Sequence, residues 1–146
     1  MKKAIIIGIC LTLLMLCSCK TKEEAEPMES QSAQTVHFLN GVKDADVWIL
    51  PETEANLKTT LWGTATAAGV QQGERREVPL CAPGDGGTYL LRMIDTDHYY
   101  YSAGGITLQP GWSMELKGAD LHAVTLEVTD ENGALHAAYQ VFAARL

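Results

Sequence analysis

The chain has 146 residues, 47% of them hydrophobic, with 11 basic and 18 acidic side chains and a net charge of −7. That balance excludes a basic surface for nucleic acid or for anionic lipid headgroups. The length is enough for one domain with a real core, so no staple is required.

Lys2 and Lys3 precede an apolar run over residues 4–16 that only Gly8 and Thr12 dilute. This 13-residue run suits the apolar region of a secretory signal peptide and falls short of the roughly 20 residues of a spanning helix. It ends in Leu16-Cys17-Ser18-Cys19, which resembles a bacterial lipobox. Leu16 and Ser18 fit that pattern; Cys17 at the middle position departs from it. Cys17 is the poorer acceptor, because Leu16 would then stand directly before the cut. The resemblance implies cleavage between Ser18 and Cys19 and a diacylglyceryl thioether plus an N-acyl chain on Cys19. Several acyl chains on one residue hold stably, where a single chain binds only reversibly.

The expected organisation is a lipoprotein signal peptide (1–18), a lipidated cysteine with a tether (19–34) and one domain (35–146). Loss of Lys2 and Lys3 makes the mature charge −9. Cys10 and Cys17 leave with the signal and Cys19 takes lipid, so Cys81 is the one thiol left and is expected to pack as a small buried hydrophobe. Residues 20–34 carry Lys, Glu, Ser, Thr and Gln with Pro27, too little apolar surface to order themselves. Lys22-Glu23-Glu24 resembles the short charged signal of surface-displayed bacterial lipoproteins, which implies the outer face of the envelope; the alternative is a generic acidic spacer.

From residue 35 the pattern has period two. Strands are predicted at 35–39, 46–50 (ended by Pro51), 76–81, 88–94, 99–102, 106–109, 113–116, 124–129 and 135–141. In the fourth, Tyr89, Leu91 and Met93 share one face and Leu90, Arg92 and Ile94 the other. Asn40-Gly41, Pro83-Gly84, Asp95-Thr96-Asp97, Pro110-Gly111 and Asn132-Gly133 supply turn chemistry. Residues 52–72 alternate poorly and are expected to hold a short helix or a crossing loop with Trp62 folded in. Eight or so short strands predict an all-β chain, an antiparallel β-sandwich of immunoglobulin-like or transthyretin-like kind.

Val47-Trp48-Ile49-Leu50-Pro51, Trp62-Gly63 and Gly87-Thr88-Tyr89-Leu90-Leu91-Arg92 running into Asp95-Thr96-Asp97 are signatures within a span from Phe38 to about Leu116. Together they resemble small exported bacterial β-sandwich domains of uncharacterised function, often found in lipoproteins. The resemblance implies a sandwich and transfers no catalytic residue.

Asp95, Asp97 and His98 are the candidate metal-binding group, set against a plain acidic hairpin turn. Trp62, Tyr99 and Tyr101 are the candidate ligand-binding aromatics, since aromatic faces stack on sugars or anchor partners. Period two puts Tyr99 and Tyr101 on one face and Tyr100 on the other. His37, His98, His122 and His136 are scattered without ligand spacing. The glycine-rich stretch 83–87 lacks the Lys-Ser/Thr of a phosphate loop, and neither a nucleophile elbow nor a zinc-protease helix motif occurs. The expectation is a non-enzymatic binding or structural accessory module with no cofactor. Its partners are the membrane through Cys19 and an envelope protein or glycan, with capture of a carbohydrate or small ligand as the alternative.

Overall fold

Where the inward residues of an alternating run are large, the run pairs into sheet. The computed structural model describes residues 34–84, 86–118 and 120–146. The expected signal peptide, the expected cleavage between Ser18 and Cys19, the expected lipid on Cys19 and the expected tether up to residue 33 lie outside these residues. The elements are β1 Thr35–Asn40, β2 Ala45–Pro51, α1 Glu54–Lys58, β3 Ala67–Val70, β4 Arg75–Pro79, β5 Tyr89–Asp95, β6 Tyr99–Ile106, β7 Ser113–Lys117, β8 Thr125–Thr129, β9 Leu135–Gln140 and β10 Phe142–Arg145.

They form two five-stranded sheets, ordered β4-β1-β7-β8-β9 and β10-β6-β5-β2-β3. The fold is an all-β sandwich. Every pairing is antiparallel except β1 with β7, which run parallel with His37 opposite Ser113 and Asn40 opposite Leu116. The core lies between the sheets. Val36, Phe38, Met114, Leu116, Leu126 and Val128 come from the first sheet, and Val47, Ile49, Leu91, Met93 and Tyr101 from the second, all buried. Each such side chain contributes about 1.5–3 kcal/mol relative to exposure. This core closes within the compact unit Ala33–Leu146, which is of ordinary domain size and has what it needs to fold alone.

Both sides of the sandwich are made by chain that passes from one sheet to the other. A turn at residues 71–74 links β3 to β4, and Val141 alone links β9 to β10. Val141 is buried, and its N–H donates to Val124 O at 3.0 Å. The alternation of Ala137, Tyr139 and Val141 continues through this corner, so period two reads as one strand where the chain changes sheet. Two strands were therefore not legible: β10 beyond the corner, and β3, whose Ala-Ala-Gly-Val sequence has little strand character. The expected strand at 106–109 is corrected, because β6 ends at Ile106 and residues 107–109 are loop.

Cys81 is exposed, against the expectation of burial. β4 stops at Pro79, and Leu80 is the last residue turned inward; its N–H donates to Gln34 O at 2.7 Å. Cys81 is one step further on and faces out. Of the short helix or crossing loop expected over residues 52–72, the structure has both, followed by β3. Thr53 caps α1, its Oγ1 accepting from Asn56 N at 3.1 Å, and the following loop folds Trp62 back onto the second sheet. Among the described residues no helix is long and apolar enough to cross a membrane.

Candidate functional site

The alternation of β5 turns Tyr89, Leu91 and Met93 into the core and Leu90, Arg92 and Ile94 to the outer face of the second sheet. Arg92 is nonetheless only 6% exposed, because the segment after β2 folds over it. Its Nη1 donates to Thr59 O at 3.1 Å and its Nη2 to Leu57 O at 3.4 Å, while Nε has no partner. The guanidinium carbon sits 4.9 Å from the centroid of Trp62. No carboxylate pairs with it among the described residues. Helix C-terminal carbonyls and an aromatic face therefore take the place of a counterion.

Trp62 is the centre of the group. It stacks on Tyr100 with ring centroids 5.3 Å apart and 29° between planes, and meets Trp48 edge-on at 5.3 Å. Trp48 Nε1 donates to Gly63 O at 3.2 Å and Trp62 Nε1 to Thr59 O at 3.2 Å, so the loop is fastened by both indoles. Trp48 faces outward because β2 alternates against Val47 and Ile49, and Tyr100 because β6 alternates against Tyr101. Beside this group Leu57 and Leu61 stand 53% and 85% exposed. The outer face of the second sheet thus carries two tryptophans, a tyrosine and a buried arginine under an apolar flap.

The tyrosine alternation is as expected, but its consequence for a ligand is different. Tyr101 is 2% exposed, and its hydroxyl donates to Asp95 Oδ2 at 2.9 Å, so it offers no face to a ligand. Burial, and then the Asp95 carboxylate, push the Tyr101 phenol well above its ordinary 10.0. Tyr99 is half-buried, with Arg145 about 6.0 Å from its ring. It is Tyr100 that joins Trp62. Sequence reasoning did not single out Tyr100, Trp48 or Arg92; the signal for Arg92 was a charge in the middle of β5, between Leu91 and Met93.

Asp95 is occupied by the turn it forms, and Asp97 by a lysine from outside it. Asp95 is buried, and its Oδ1 accepts from Asp97 N and Tyr99 N, each at 2.9 Å. His98 closes the turn at φ 63°, in the left-handed region. Asp97 pairs with Lys43, which holds its carboxyl below the ordinary 3.8. His98 adds no ligand geometry, and no group of three or more metal-capable side chains occurs among the described residues.

The other histidines stay apart from this site. His37 lies on the outer face of the first sheet, His122 is exposed between β7 and β8, and His136 packs on Trp112 at 4.6 Å. The chain matches no protein-family model, and comparison with curated proteins and with solved structures returns no match.

Proposed function

We propose that the protein is a non-catalytic binding module, exported and held at the bacterial cell envelope by lipid on Cys19, with a partner outside the cytoplasm. Its main support is the Trp48–Trp62–Tyr100–Arg92 group. The sandwich core is complete without it, so the half-buried Trp48, Trp62 and Tyr100 on an outer face are available for recognition, with the buried Arg92 holding Trp62 in place. The lipobox resemblance and the polar spacer support the anchor. Labelling the full chain in cells with a palmitate analogue tests it. Wild type takes the label and Cys19→Ala does not; a Cys19→Ala chain that stays labelled and membrane-bound overturns the anchor. Residues 33–146 are expected to turn over none of a panel of glycoside, peptide and ester substrates, and turnover of any of them overturns the non-catalytic reading.

Capture of a carbohydrate or small ligand is the second reading. It is favoured by Trp62 and the neighbouring Trp48, half-buried indoles side by side on the outer face, a residue type that sugar rings pack on. Its test is the tryptophan emission of residues 33–146 titrated with neutral and acidic oligosaccharides. A saturable change that Trp62→Ala removes supports capture, and an unchanged spectrum across the panel overturns it.

A further inference from the structure

The two sides of the sandwich are finished differently. On one side β4 reads Arg75-Arg76-Glu77-Val78-Pro79, three charges and a proline. Arg76 reaches across to β3, its Nη1 donating to Ala68 O at 2.6 Å and its Nη2 to Gly69 O at 3.4 Å, while Gly69 N donates to Asp46 Oδ1 at 2.7 Å. Charge, proline and capped backbone are the usual devices that stop an edge from pairing with another chain.

The opposite side has almost none of them. β9 and β10 together run Leu135 to Arg145 with Arg145 as the one charged residue and no proline. A bulge between β8 and β9 disturbs the start of this edge and leaves the stretch from Ala137 onward regular. Of the large apolar side chains left exposed, Leu135, Phe142 and Leu146 all lie here, with Phe142 at 62%.

Beside Phe142, where β9 passes into β10, is an open hollow of about 490 Å³. Ser102, Gly104, Leu121, His122, Gln140 and Phe142 contribute to its wall, and no Asp, Glu, Lys or Arg does. Residues 34–146 carry seven basic and fourteen acidic side chains. Two copies of so acidic a domain repel each other through most of their surface, and this side, with Arg145 its one charge along β9 and β10, is where they can approach closely.

We propose that this side binds a second copy of the chain. The contact is two-fold, with the β10 edges facing each other antiparallel and each Phe142 entering the hollow beside its counterpart. Knob and hollow lie on the same patch, so the contact is self-complementary and closes as a dimer. The inference is independent of the lipid anchor and of any ligand at Trp62.

Sedimentation velocity of residues 33–146 across a concentration series, with reductant present, tests it. The expected result is a monomer–dimer equilibrium. Phe142→Glu is expected to weaken it roughly tenfold or more, and so is His122→Glu, an exposed change that touches no core residue. Leu61→Glu, which removes the most exposed apolar side chain on the other outer surface, leaves the dimer intact. Thermal melts confirm that each variant is folded. A monomer throughout the series, or a dimer that survives both Phe142→Glu and His122→Glu, overturns the proposal. A dimer lost in Leu61→Glu and kept in Phe142→Glu overturns it as well.

Discussion

Asp95 is a buried carboxylate with no ion pair among the described residues, and three donors hold it: Asp97 N, Tyr99 N and the Tyr101 hydroxyl. Tyr101→Phe keeps the ring and strips Oδ2 of its donor. A buried acceptor left unsatisfied costs about 1–3 kcal/mol, so the variant loses that much in urea unfolding at pH 7. The pH dependence has a definite sign. The phenol is raised in the folded chain, so its stabilisation is complete below the ordinary value of 10.0 and is lost as pH climbs toward the folded value. The gap between wild type and Tyr101→Phe is therefore expected to hold up to about pH 10 and to narrow above it. A gap that stayed constant would show that the phenol is not raised in the folded chain.

Among the elements, the flap over the second sheet hangs on few attachments. α1 has five residues, none of them buried, and is far too short to be stable by itself. Arg92, Trp48 and Trp62 hold it down. Arg92→Met keeps the aliphatic stem and removes the bonds to Leu57 O and Thr59 O. Trypsin is then expected to cut after the exposed Lys58 faster in the variant, followed by mass spectrometry, while the strands stay resistant; equal rates would mean that the indoles suffice. At another junction, a Cβ on Gly41 would overlap Leu116 O, the acceptor of the Gly41 N–H. Gly41→Ala forces the β1 end away from β7 and should cost about 1–3 kcal/mol by denaturant titration. The strands themselves were readable because large apolar residues alternate along β1, β5, β7 and β8. The parallel seat of β1 on β7 was not, since pairing across some 75 residues leaves no local pattern. Period two gave the opposite faces of Tyr100 and Tyr101. It could not say that a loop would return over Arg92, because that depends on Trp62 finding the outer face rather than on any spacing.

For the whole molecule the question is what holds the sandwich together. Cys81 is the one cysteine among the described residues, it is exposed, and its thiol is free. The fold therefore rests on the apolar layer between the sheets and on the two sides where the chain changes sheet. A unit of this size buries roughly two thirds of its unfolded surface, enough without a crosslink. The melting temperature of residues 33–146 is accordingly expected to be the same with and without reductant, and the same again in Cys81→Ser. A structural disulfide would instead lower it on reduction by roughly 10 °C. Under air and without reductant, dissolved oxygen can oxidise two exposed Cys81 thiols to an intermolecular disulfide, and a nonreducing gel would show that product in wild type and not in Cys81→Ser. Phe142→Glu should leave this crosslink in place, because Cys81 follows the charged β4 edge and the proposed dimer uses the β10 edge. If Phe142→Glu abolished the crosslink, the two contacts would share a face and the separation of a guarded side from an open one would fail.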